Sequence, residues 1–245
     1  MKPRSRDPDT AALDPRELGR RMIVVSPHLD DAVFSVGATI ARASRGGARV
    51  SVVTVFAGDP QSSVPVGEWD RLAGFATAGE AATARRREDR KACSLLAATP
   101  VWQPFLDDQY EDDSDDGALA DALEEALRTA DTVLLPGFPL NHPDHVRLVR
   151  LVLTAGLFSG RIALYAEQPY MLFEGRPGVS DSLRDLVPQT IRWRGTRVGY
   201  RDLALKIRAC RAYSSQLVCI PHRIVWPMSR DEMFSGYVIA FLDSS

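Results

Sequence analysis

Residues 22–43 read MIVVSPHLDDAVFSVGATIARA, and the change of period inside this stretch decides the fold. The apolar run Met22-Ile23-Val24-Val25 is continuous enough for a buried strand and stops at Ser26-Pro27. His28, Asp30 and Asp31 fill the break, after which Val33, Val36 and Ile40 return at helical spacings of three and four. A strand therefore feeds a helix through a turn that holds three metal-capable side chains. In open α/β sheets ligands bind beyond the carboxyl ends of the strands, where such a turn lies. Two carboxylates beside an imidazole suit a cation site in which one group stays free to move a proton. The aspartates would also serve a plainer role, because Asp is favoured at a helix N-cap and in the first turn. His28 would then be an ordinary turn residue.

A second stretch separates these readings. Residues 132–151, TVLLPGFPLNHPDHVRLVRL, repeat the arrangement. Val133-Leu134-Leu135 forms a strand, a loop follows Pro136-Gly137, and His142-Pro143-Asp144-His145 opens an amphipathic helix carrying Val146, Val149 and Val152. Pro143 suits the first helical turn, where its missing N–H costs nothing. The chain has four histidines, and three of them stand in these two strand-to-helix turns. Such clustering favours a metal site over two unrelated caps.

Along the rest of the chain, strands and helices alternate. Strands are expected at residues 48–57, 99–106, 161–165 and 237–242, and helices at 80–98, 118–130 and 202–217. This pattern predicts an α/β, Rossmann-like and mostly parallel sheet with helices on both faces. Residues 22–245 would form one domain, and residues 1–21, which lack the apolar core of a signal peptide, a mobile N-terminal tail. Residues 59–79, with Trp69 and Phe75, and residues 172–201 have no clean period and are expected to serve as substrate-selecting loops or lids. Arg85, Arg86, Arg87, Arg90 and Lys91 read as a solvated helix face paired with Glu88 and Asp89. The run at residues 111–116 reads as a solvated acidic loop. Glu167 and Tyr170 follow a strand on the ligand side and are expected, with Trp69, to touch substrate.

Composition narrows the function classes. A net charge of −2 gives no reason to expect nucleic acid binding, and there is no apolar stretch long enough for a membrane span. Cys93, Cys210 and Cys219, odd in number and without close spacing, favour free thiols in the cytoplasm. A homo-oligomer is left open. A dinucleotide-binding enzyme is excluded by the first turn. It carries two aspartates where a pyrophosphate needs a glycine-rich cradle of N–H groups.

Pro27-His28-Leu29-Asp30-Asp31 and His142-Pro143-Asp144-His145 resemble the two signature motifs of the LmbE / PIG-L zinc-dependent N-deacetylases. Weaker likenesses follow at Arg85 and Glu88, at Phe105-Leu106-Asp107, at Lys206, Tyr213, Ser215 and Gln216, and at Glu232 and Phe234. The resemblance implies one zinc per chain held by His28, Asp31 and His145. It also implies Asp30 as general base and His142 as oxyanion stabiliser or general acid, with Asp144 orienting His142. Arg85 and Asp107 would contact the sugar. The reaction implied is hydrolysis of an N-acetyl or other N-acyl group from an amino-sugar-containing small molecule or glycosylated natural product. The wording PHLDDAV most resembles the branch acting on glycopeptide pseudoaglycones. Ala32 stands where many members have Glu, and Leu140 where some have Tyr. A metal-dependent phosphoesterase and a non-catalytic sugar-binding relative are the alternatives.

Overall fold

A computed structural model describes residues 12–61, 63–110, 115–220, 222–235 and 237–242. Strand β1 (Arg21–Ser26) is flanked in parallel by β2 (Arg49–Thr54) and β4 (Thr132–Phe138). Outside these lie β3 (Thr99–Trp102), parallel to β2, and β5 (Arg161–Ala166), parallel to β4. Two antiparallel strands, β6 (Trp193–Arg194) and β7 (Ile239–Leu242), complete the far edge. The order among the described residues is β3-β2-β1-β4-β5-β7-β6.

Alternation along β1 explains why its apolar run is unbroken. Met22 and Val24 point into one core layer and Ile23 and Val25 into the other, so both faces of the strand are dry. The first layer is closed by α1 (Asp31–Arg45), α3 (Ala78–Leu95), α7 (Tyr200–Cys210) and α9 (Val225–Phe234). The second is closed by α4 (Asp116–Leu127), with Leu119, Leu123 and Leu127, and α5 (Pro143–Thr154), with Leu148, Val149 and Val152. Along β4 the register with β5 shifts between Pro136 and Phe138. Gly137 lies so close to β5 at that shift that a Cβ would meet the Leu164 Cβ at 2.4 Å.

Several expectations need correction. The supposed tail is ordered over its described part. Leu13 and Leu18 are core residues, the Leu13 N–H donates to the Gly195 carbonyl at 2.8 Å, and a 3-10 turn spans Pro15–Leu18. Residues 1–11, on which the rest of that reading falls, lie outside the described residues. The third strand is shorter than expected: it accommodates Pro100, in register with Val52, but ends at Trp102, and beyond it Pro104 makes only an isolated bridge with Phe56. Residues 202–217 are not one helix: α7 ends at Cys210, buried Tyr213 follows, and α8 (Gln216–Cys219) begins anew. In the acidic run, residues 111–114 lie outside the described residues. Asp115 caps α4 by accepting from Ala118 N, and Asp116 pairs with Arg147 at 2.9 Å. Asp115 and Asp116 are exposed as expected, whereas Asp89 is no surface partner. It is buried and accepts from Trp102 Nε1 and Tyr213 Oη, while Arg86 and Arg90 lie over the Trp102 ring.

Leu134, fully buried at the centre of β4, reports on this core. Leu134→Ala should lower unfolding stability by about 2–5 kcal/mol in urea denaturation. A loss below about 1 kcal/mol would be inconsistent with a close-packed position there.

Candidate metal centre

The strand order reverses direction between β1 and β4, and the crevice beyond their carboxyl ends is the topological switch point of the sheet. Both motifs open into it. β1 delivers His28, Asp30 and Asp31 to the start of α1, and β4 delivers His142, Asp144 and His145 to the start of α5. The two helices thus direct their N-termini, with the positive end of each dipole, at a group of carboxylates.

Three atoms from the two turns form a compact triangle. His28 Nδ1 lies 3.3 Å from Asp31 Oδ2 and 3.2 Å from His145 Nε2, and His145 Nε2 lies 3.3 Å from Asp31 Oδ2. Tetrahedral zinc with bonds near 2.0–2.1 Å requires ligand atoms about 3.3–3.4 Å apart, so the donor set fits in spacing as well as in chemistry. His28, His142 and His145 also offer nitrogens within 4.8 Å of one another. The set with Asp31 brings a negative charge toward a cation, which the three-histidine set does not.

Partners behind the triangle fix its orientation. His28 Nε2 meets Asp144 Oδ2 at 2.9 Å, and His145 Nδ1 makes a short contact to Glu167 Oε1. Glu167 also accepts from Leu140 N at 2.7 Å. Asp144 therefore stands behind His28, whereas the expected partner His142 keeps its Nδ1 4.0 Å from that carboxylate. His142 is instead the N-cap of α5, its Nδ1 accepting from the Asp144 N–H at 3.2 Å. That bond assigns the proton of the neutral ring to Nε2, which faces Asp108 Oδ1 at 3.7 Å. Asp30 occupies the N-cap position of α1 but makes no side-chain cap bond, so the plain capping role is not the one it fills.

Charge follows from this crowding. Burial works against a proton on His145, but Asp31 and Glu167 hold its pKa up at about 9. His28 is likewise raised, against burial, by hydrogen bonds to Asp144 and Asp31. Asp31 is held well below the carboxylate range, despite burial, by the charges and hydrogen bonds of His145 and His28. Burial and the neighbouring Asp31 push Asp30 up to about 7. Burial lowers His142, as do positive charges on His28 and His145. The carboxylates demand positive charge between them, which a divalent cation would supply without protonating the imidazoles.

A cleft of about 650 Å³ opens over the triangle. Trp69 and Leu72 from α2 (Glu68–Leu72) and Ile220 after α8 form an apolar wall, and Asp107, Asp108 and Gln109 a polar one. Arg85 lines the cleft as expected, yet its Nη2 is paired with buried Asp70 at 2.6 Å, and Asp107 lies 3.8 Å from its Nη1. Trp69 lines the wall and donates from Nε1 to Gln216 at 2.9 Å. Tyr170 also faces the cleft. Glu167 does not line it, since its carboxylate is buried against His145 and Leu140. Phe75 and residues 172–201 contribute nothing to the lining either. Sequence reasoning missed Asp70, which pins α2 through Arg85 and Tyr110, because it sits in a segment without period.

Residues 23–156 match the family described as PIG-L, GlcNAc-PI de-N-acetylase. The chain belongs to this family of N-deacetylases. It is 30% identical to a 2'-N-acetylparomamine deacetylase of Streptomyces fradiae, over 74% of this chain and 70% of that protein. Among solved structures it resembles the A40926 pseudoaglycone deacetylase with a TM-score of 0.74 and 26% identity, covering 91% of this chain and 96% of that one. The zinc-inhibited form of teicoplanin deacetylase is similar at TM-score 0.74 and 25% identity, covering 92% of this chain and all of the other.

Glu167→Ala would leave His145 without its orienting acceptor and strand a buried N–H at Leu140. Zinc affinity, read by competition with a chelator, should fall roughly 10- to 100-fold. An unchanged affinity would take Glu167 out of the support of His145.

Proposed function

We propose that the protein uses one zinc ion per chain to hydrolyse the N-acetyl, or another N-acyl, group of an amino-sugar-containing natural product. The observation that carries this reading is the triangle of His28 Nδ1, Asp31 Oδ2 and His145 Nε2, with the Asp30 carboxylate beside it and in no cap bond. When bound, zinc supplies Lewis acidity toward the amide carbonyl and makes a water acidic enough to ionise near neutral pH. Asp30 accepts the proton of the attacking water and can return it to the departing amine. His142 donates from Nε2 to the developing oxyanion, the role that its N-cap bond at Nδ1 leaves to it. Asp144 holds His28 in place, and Glu167 holds His145.

The substrate class rests on the relatives and on the cleft. The similar proteins are by their names deacetylases of 2'-N-acetylparomamine and of the A40926 pseudoaglycone. A cleft of about 650 Å³ has room for an amino sugar and part of its attached group. Trp69 and Leu72 would lie against an apolar portion of that group, with Arg85, Asp107 and Tyr170 nearer the sugar. Among the described residues no helix is long and apolar enough to cross a membrane. The free thiols of Cys93, Cys210 and Cys219 suit work in the cytoplasm.

A mass-spectrometric screen of N-acyl amino-sugar compounds should find one that loses its acyl mass and gains a free amine. With that substrate, His28→Ala, Asp31→Ala and His145→Ala should lose both zinc and activity. Asp30→Asn and His142→Ala should keep zinc and lose roughly 100- to 10,000-fold in kcat. Zinc-free Asp30→Asn protein would make Asp30 a ligand, and near-normal turnover in either variant would remove that residue from the reaction.

A further inference from the structure

Helix α1, which carries Asp30 and Asp31 at its start, is not continuous. Val36 leaves helical geometry at φ −124° and ψ 27°, separating the first turn from the remainder. In an unbroken helix the Ser35 carbonyl would accept from the Thr39 N–H. Here the Ser35 carbonyl accepts from Lys206 Nζ at 3.1 Å, and the Thr39 N–H donates to Glu232 Oε1 at 2.6 Å. Glu232 Oε2 also takes the Ala38 N–H at 3.0 Å, and Lys206 and Glu232 bind each other at 2.7 Å with both side chains fully buried. The ion pair has been inserted into the break. Gly37 makes room for it, since a Cβ there would meet Lys206 Cγ at 3.0 Å.

A buried ion pair is poor evidence of stabilisation, because desolvation of its charges offsets their attraction. Its location gives it another use. Ser35, on the site side of the break, accepts from Gln168 N through its hydroxyl at 3.0 Å, and Gln168 follows Glu167, the residue behind His145. One side of the inserted pair is thereby linked to Asp31 through a single helical turn, and to His145 through Ser35 and the residues after β5. We infer that Lys206 and Glu232 are positioning residues. They set the first turn of α1 so that Asp31 and His145 meet at metal-binding distance.

The inference rests on the ligand set proposed above, so that set is measured first. Zinc dissociation constants by chelator competition should show tight binding in the parent and its loss in Asp31→Ala. Parent-like binding by Asp31→Ala would overturn the ligand set itself. The double variant Lys206→Met/Glu232→Gln, which leaves no unpaired charge, should keep its circular dichroism spectrum and bind zinc roughly 10- to 100-fold more weakly. Leu123→Ala, in the opposite core layer, is the control for general loosening and should bind zinc as the parent does. Parent-like affinity in the double variant, or an equal loss in the control, would overturn the positioning role. Should the double variant fail to fold, Ser35→Ala, which keeps the ion pair, decides between a severalfold loss of affinity and none.

Discussion

The constraint on which this structure depends is charge in a confined, poorly solvated space. Asp30, Asp31, Asp144 and Glu167 converge with His28 and His145 at the ends of β1 and β4, and every one of them is buried or nearly so. Carboxylates at such spacing repel unless positive charge lies between them. The fold provides part of it through two helix N-termini, and the triangle of donor atoms has the spacing to hold a tetrahedral cation that would supply the rest. Parallel pairing of β1 with β4 brings the two turns together at the switch point, so the meeting of the two motifs follows directly from the strand order.

This order was legible in the chain because its signals are local. A strand buried on both faces must be apolar throughout, and the helix after it must return to a period near 3.6; residues 22–43 and 132–151 display both changes within a few positions. The residues that touch the triangle were legible for the same reason. Those that support it were not. Glu167 stands 22 positions from His145, and its acidic side chain beyond a strand reads equally well as a substrate contact. Asp144 lies next to the histidines of its own motif but spends its carboxylate on His28, 116 positions away. Asp89 looked like one charge among many on a helix, until Trp102 and Tyr213 closed over it. Lys206 and Glu232 have spacing that says nothing of their meeting, because only the packing of α7 and α9 against α1 brings them together.

The cleft divides work between rigid and replaceable parts. The proposed metal ligands are anchored to central strands and to bonds deep in the core. Its apolar wall is carried by short helices, α2 and α8, tied by Trp69 to Gln216 and by Asp70 to Arg85. Changes in that wall would alter what fits without disturbing the proposed ligands, a separation that suits a chain whose relatives are named for N-acetylparomamine and for a pseudoaglycone.

Gly137 sets a limit on that freedom. At the register shift in β4 its α-carbon lies against Leu164, and the atom a side chain would meet first is that residue's Cβ, which cannot swing aside. Any larger residue there would have to push β5 away from β4. Glu167 leaves β5 directly, so the displacement would arrive at the imidazole of His145. A mutational search for new specificity can thus range widely over the mouth of the cleft, while a position that never meets a ligand is closed to it. In this enzyme one of the tightest constraints behind the site falls on a residue with no side chain.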